Sequence, residues 1–270
     1  MPNFTLWRRA LTSRAPVRRY ALVLAAFAMT AGQADGQGNS AQPGVAALER
    51  MKRTYEGKWY RTLTFVQRTI VTRAESTPDT ATWYESLSGP ARLRIDMGSP
   101  SAGNGALFTA DTTWSVRNGS LARTSPSGNP FLPLIMGVYL QPVSETVRQL
   151  GLFGFDVSKA TAGTFEGRAV TIVGTDSPSD STSAQFWIED ERQVVVRVRG
   201  RARGTGGADV HVGGYERVGD AWLGTRVSIV GPTVSQIEEY SDWKVGIPLS
   251  EDLFDVTKWR SAPHWAPRTP

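Results

Sequence analysis

The stretch from Phe186 to Arg203 constrains this chain most. Phe186-Trp187-Ile188 leads into a polar turn, Glu189-Asp190-Glu191-Arg192. A second run follows: Val194-Val195-Val196-Arg197-Val198-Arg199-Gly200-Arg201-Ala202-Arg203. From Val194 onward the even positions are apolar or small, and Arg197, Arg199, Arg201 and Arg203 share the other parity. A period of two sends one set of side chains to a dry face and the other to water, so this is a β-hairpin. A lone hairpin is not stable in water, so it belongs to a larger sheet. That sheet's dry face covers either a packed core or a space for a ligand.

The first 34 residues read as a secretory signal peptide outside the fold. Arg8, Arg9, Arg14, Arg18 and Arg19 precede an apolar run from Ala21 to Ala31, and Gly32-Gln33-Ala34 offers a cleavage site. The run is too short to span a bilayer. Arg18-Arg19 also suggests a twin-arginine signal, but Ala21 stands where a bulky apolar residue is expected. Removing the leader changes the charge. The whole chain has 30 Lys+Arg against 25 Asp+Glu; subtracting the leader's five Arg leaves 25 against 25. A neutral mature chain argues against a nucleic-acid partner. The arginines at 197–203 remain a local stripe, read as a solvated face, with membrane components as the alternative partner. With no cysteine, disulfides and thiolate metal ligands are excluded. The expected product is an exported, periplasmic domain of roughly 235 residues.

Residues 35–43 read as a linker. Val45, Leu48, Met51, Tyr55 and Trp59 then recur at spacings of three and four, the pattern of an amphipathic helix ending at Gly57. Tyr60–Arg73 and Ala81–Ser88 read as strands. Arg92–Met97 alternates, with Leu93, Ile95 and Met97 inward. Ala106–Ala110, Thr113–Arg117 and Leu121–Thr124 are short strands, and Asn118-Gly119 is a hairpin turn. Residues 125–156 break the β pattern: apolar residues crowd between Phe131 and Leu140, and Ser144 is placed to cap a helix stopped by Gly151. This segment reads equally as a buried helix pair or as a lid across the sheet's mouth. Strands resume after Thr161. Ala208–Tyr215 is expected to pair with Trp222–Val230, and Gln236–Trp243 is the last strand. Residues 257–270 form a Pro/Trp-rich tail with no periodicity. The fold class is mainly β (α+β): a curved antiparallel sheet forming a half-open β-barrel, with an N-terminal helix and a helical lid insertion.

Catalytic patterns are weak. His211 and His264 are far apart and lack metal-ligand spacing, so no metal or cofactor is implied. Ser241-Asp242-Trp243-Lys244 fits Ser-x-x-Lys, but on a strand and without the companion Lys-Thr-Gly. Glu238 and Glu239 are strand neighbours and point to opposite faces, which disfavours their acting as an acid/base pair. Eight Trp remain after the leader, suited to a core or to an apolar pocket.

Several short segments resemble the LolA-like periplasmic lipoprotein-carrier family, the outer membrane lipoprotein-sorting group. They are Ser88-Gly89-Pro90-Ala91-Arg92-Leu93-Arg94-Ile95-Asp96, Thr164-Phe165-Glu166-Gly167-Arg168, Phe186-Trp187-Ile188-Glu189-Asp190, Gly219-Asp220-Ala221-Trp222-Leu223 and Pro248-Leu249-Ser250-Glu251-Asp252-Leu253-Phe254. Asn129-Pro130-Phe131-Leu132 resembles the start of the family's helical insertion, and the likeness spans about residues 44–256. It implies a non-enzymatic carrier that holds a lipid, or the acyl chains of a lipoprotein, inside a half-open barrel roofed by helices. The family's carrier has an Arg before the Pro of its third strand region, where it meets the lid. Here Gly89 precedes Pro90, which favours a relative holding another lipid or apolar molecule. The other function class is a periplasmic sensor or interaction module with a packed interior. Strand parity and the lid-like stretch nominate Phe65, Leu93, Ile95, Phe108, Trp114, Phe131, Leu134, Ile135 and Met136 as the pocket lining.

Overall fold

A computed structural model describes residues 42–73, 77–200, 208–231 and 234–267. The leader, most of the expected linker, Arg201 and Arg203 lie outside the described residues. Helix α1 (Pro43–Thr54) comes first. Its buried residues Gly44, Ala47, Leu48 and Met51 lie on one stripe, as the three-and-four spacing requires. Strands β1 (Thr62–Arg73), β2 (Asp79–Ser88), β3 (Arg92–Met97), β4 (Gly105–Phe108), β5 (Thr113–Arg117) and β6 (Ser120–Ser125) then form an outward meander. The chain leaves the sheet through a π-helical turn (Pro133–Gly137), α2 (Val138–Leu140) and α3 (Val143–Leu152).

The chain returns at the opposite edge as β7 (Ala160–Phe165) and works back inward through β8 (Arg168–Val173), β9 (Gln185–Glu189), β10 (Val194–Arg199) and β11 (Asp209–Gly213). A detached ribbon, β12 (Glu216–Val218) with β13 (Ala221–Leu223), precedes β14 (Arg226–Val230) and β15 (Val234–Val245). Strand β15 pairs with β1 from Leu63↔Val245 to Arg73↔Val234 and joins the two meanders. The result is one curved antiparallel sheet with edges at β6 and β7, not closed into a barrel. Its turns use the expected chemistry: Asn118-Gly119 and Glu166-Gly167 both take positive φ at two successive residues, as a tight hairpin turn requires.

Three local expectations are corrected. The strict alternation of the organising hairpin fails at a bulge between Val195 and Arg197. Val194, Val195 and Val198 join the main core, whereas Val196 packs with Val170, Ile172 and Trp187 in a separate cluster. Helix α3 starts at Val143 with Pro142 at its N-cap, so Ser144 does not cap it, and it runs through Gly151. Gly154, at φ 79°, marks the chain reversal after the helix. The hairpin expected over 208–230 divides in two, since Asp209–Gly213 pairs with Arg226–Val230 while the residues between form the ribbon.

The outer face of the β2–β5 region is covered by the C-terminal segment. This segment forms 3-10 turns at Glu251–Phe254 and Val256–Lys258, the second leading into the Pro/Trp-rich tail, where Trp259 is only 2 % exposed. Arg94 and Asp96 have outward parity on β3 yet are buried beneath it. The Arg94 guanidinium donates to both Asp96 oxygens, at 2.7 and 2.8 Å, and to the backbone carbonyls of Leu253 and Trp259. The Trp259 ring lies 3.8 Å from the guanidinium carbon, and His264 Nε2 is 3.0 Å from Asp96 Oδ2. A buried ion pair is retained only when its remaining hydrogen-bonding capacity is met, and the C-terminal segment meets it. Trp259→Ala is therefore expected to cost about 3 kcal/mol in equilibrium denaturation. A change within about 0.5 kcal/mol, the range of an ordinary surface substitution, contradicts this role for the segment.

Candidate functional site

The two halves of the concave face differ. Over β8 and β9, α1 and the helical insertion fill it: Leu48, Met51, Val138 and Leu150 pack with Val173, Phe186, Ile188 and, on β10, Val198 in one core. Over β1–β5 and β15 the same face borders a cavity of about 570 Å³ that also reaches Val194 and Val195 on β10, Val210 and Val212 on β11, and Val227 and Ile229 on β14, within the range of roughly 300–1,000 Å³ typical of small-molecule sites. The inward parity of each strand sets its floor: Leu63 and Phe65 on β1, Trp83 and Leu87 on β2, Leu93 and Ile95 on β3. Phe131, Leu134, Ile135 and Tyr139 reach it from the insertion, and Tyr215, Trp222 and Leu223 from the ribbon and the loop before it. Trp59 stacks on Tyr139 with ring centroids 3.7 Å apart, tying the chain after α1 to the insertion.

Seven nominated residues line this cavity: Phe65, Leu93, Ile95, Phe108, Phe131, Leu134 and Ile135. Two do not. Trp114 follows the outward parity of β5 and packs with Leu107, Val116 and Trp259 beneath the C-terminal segment, while Thr113 and Ser115 face the cavity. Met136 is fully buried beside the cavity, in the cluster that joins Leu132 of the insertion to Leu63, Leu87 and Leu93 of the sheet. The two described arginines of the stripe, Arg197 and Arg199, are also less available than those of a solvated face would be. Arg197 donates to both oxygens of Asp209 and lies over the Trp187 ring, and Arg199 Nε is 3.6 Å from Asp209. Their side chains are 18 % and 21 % exposed. Burial raises the Asp209 pKa, but the hydrogen bonds and charges of Arg197 and His211 outweigh it and hold the carboxyl well below the usual range.

Sequence reasoning missed a polar group inside this cavity. Glu85 sits between Trp83 and Leu87 on the inward face of β2, and Glu238 lies between Gln236 and Tyr240 on that of β15. The signal was legible as acids at inward parity between apolar or aromatic neighbours. Glu238 accepts from Gln236 Nε2 at 2.5 Å and from the Tyr240 hydroxyl. Glu85 is 5 % exposed and has no hydrogen-bond or ion-pair partner among the described residues. Gln236 Oε1 and Trp83 Nε1 are likewise buried without partners there. Burial pushes the Glu85 carboxyl well above its ordinary range, and the charge of Glu238 adds to this. Burial raises Glu238 too, against the hydrogen bonds it accepts. Glu239 points the other way, to Arg68 and Arg226 at 2.8 and 2.9 Å.

The insertion meets the sheet at Gly89, where a Cβ would lie 2.2 Å from Leu140 Cδ1 and 3.3 Å from the Arg61 carbonyl oxygen. Glycine here lets Leu140 rest directly on the β2–β3 turn.

No protein-family model matches the sequence, and no curated protein matches it. Solved structures do match its fold. A DUF1329 family protein from Desulfovibrio piger is similar with a TM-score of 0.55 at 12 % identity, over 78 % of this chain and 95 % of that one. A domain from Vibrio parahaemolyticus, provisionally described as an outer membrane lipoprotein-sorting protein, has a TM-score of 0.55 at 15 % identity, over 80 % of this chain and 98 % of the other. The fold is therefore LolA-like.

Two predictions follow from this geometry. Gly89→Ala is expected to destabilise by about 1 kcal/mol through overpacking. Adding Leu140→Ala is expected to cost less than the two single losses summed, and strict additivity in denaturation contradicts the contact. The second concerns pH. A carboxyl whose folded pKa is raised favours the folded state fully below its unfolded value of 4.5, and that advantage is lost as pH rises towards the folded value. Glu85→Gln is therefore expected to lose less Tm than the parent between pH 4.5 and 8. Parallel Tm–pH profiles contradict the assignment.

Proposed function

We propose that this protein is a non-enzymatic carrier that holds a lipid, or the acyl chains of a lipoprotein, in the cavity between β1–β5 and the helical insertion. The observation that carries this reading is the half-hollow concave face. Its lining is dominated by aliphatic and aromatic side chains, and the insertion borders it without filling it. A similar fold in a protein described as lipoprotein-sorting supports the reading. The Arg-rich, apolar leader supports export to the periplasm, and no helix among the described residues is long and apolar enough to cross a membrane. Burying an acyl chain is worth about 0.8 kcal/mol per methylene, so a single chain suffices for useful affinity. A sensor or docking module of the same fold would need the interior packed solid, which the cavity does not favour. Lipoprotein shuttling is the narrower form of the proposal. Gly89 in place of the family's lid-contacting Arg favours a free lipid.

The test combines two measurements on mature protein purified without detergent. Mass spectrometry of its organic extract is expected to find a stoichiometric lipid. A neutral apolar fluorophore, N-phenyl-1-naphthylamine, is expected to bind the delipidated protein. Ile95→Trp, which fills the cavity floor, is expected to weaken the fluorophore at least about tenfold, the equivalent of 1.4 kcal/mol. Absence of both lipid and fluorophore binding overturns the carrier reading.

A further inference from the structure

The carrier proposal leaves the polar end of the ligand undefined, and the cavity's chemistry addresses it. An apolar cavity suited only to hydrocarbon carries no buried carboxylates, because a buried polar group without a partner costs free energy. This one holds two, Glu85 on β2 and Glu238 on β15, on either side of central β1. Glu238 is supported by Gln236 and Tyr240, whereas Glu85 has no partner among the described residues. Gln236 Oε1 is a third acceptor without a donor. Among the described residues, the unmet groups around this cavity are the acceptors of Glu85 and Gln236 and the indole N–H donors of Trp59 and Trp83, and none of them is a cation. The exposed Arg123, from edge strand β6, is the cavity's one lining cation among the described residues.

Resting on the carrier reading, we infer that the ligand is an amphiphile bearing a primary amine, bound head-in, with its ammonium donating to the unpartnered Glu85 and its chain lying along Leu93, Ile95 and Phe108. A primary ammonium brings N–H donors and a positive charge, which suit an unpartnered buried carboxyl with a second acid on the same floor. A fatty acid would instead bring a carboxylate to a floor that already holds two acids and offers no cation to pair it. A neutral alcohol supplies one donor and no charge. It should rank between them. The amine keeps its charge only because it is paired and hydrogen-bonded in the cavity, the condition under which a buried charge is tolerated.

The experiment displaces N-phenyl-1-naphthylamine from the delipidated protein with dodecylamine, dodecanol or dodecanoic acid. These share a chain length and differ in the polar end. Dodecylamine is expected to displace the fluorophore at least about tenfold more tightly than dodecanoic acid, as a charge-assisted hydrogen bond implies. Glu85→Gln is expected to remove most of that preference while leaving dodecanol within about threefold of its parent value. Should Glu85→Gln fail to fold, Glu238→Gln serves the same purpose, with the same loss of preference expected. Equal displacement by all three compounds, or tighter binding of the acid, overturns the amine assignment and leaves the carrier reading standing. An amine preference unchanged in both variants also overturns it. If the fluorophore itself does not bind, the carrier reading fails first.

Discussion

The antiparallel seam between β1 and β15 is the constraint on which this architecture depends. Both strands are twelve residues long, and they come from the two ends of the fold. One meander grows outward from β1 and the other inward to β15, so their pairing alone makes a single sheet of two half-sheets. The seam also sets the cavity's character. Inward parity on β1 presents Phe65 and Gln67, and on β15 it presents Gln236, Glu238 and Tyr240. A slip of one residue would turn Glu239 inward and Glu238 towards Arg68, reversing the polarity of both faces.

Each half-sheet meets the hydrophobic demand of its concave face differently. The face of β8 and β9 is covered by α1 and the insertion, which pack into it directly, while β10 and β11 contribute both to that core and to the cavity wall. The β1–β5 half is bordered by the same insertion but not filled, and its rigidity comes from behind. There the C-terminal segment holds Arg94 and Asp96 with Trp259 and His264. A wall buttressed on its outer face can keep an apolar inner face without collapsing onto it. That division of labour lets one sheet provide both a core and a binding space.

Much of this was legible in the residues, and each failure has its own physical cause. Leu93, Ile95 and Phe108 were assigned inward correctly because their strands alternate apolar with polar residues. Trp114 was assigned to the cavity because the rule takes the apolar parity as the inward one. On β5 the outer face is buried as well, by a segment more than 130 residues away in sequence. Val196 failed for a local reason: a bulge resets parity, and no composition signal marks it. Glu85 and Glu238 were overlooked because acids are ordinarily placed in water, although their strand positions pointed inward. The half-open sheet and the lid-like insertion were read from hairpin signals and from the apolar break at 125–156. The division into a filled and a hollow half was not, since it depends on which half-sheet the helices cover.

The central claim is that an apolar chain enters the cavity bordered by β1–β5 and β15 and not the helix-filled face of β8 and β9. Methyl NMR with a nitroxide-bearing acyl probe tests this most directly. The account predicts paramagnetic broadening of the Leu93, Ile95 and Ile135 methyls, with those of Val173 and Ile188 left sharp. Broadening confined to exposed methyls such as those of Leu121 and Val230, or equal in both halves, would contradict it.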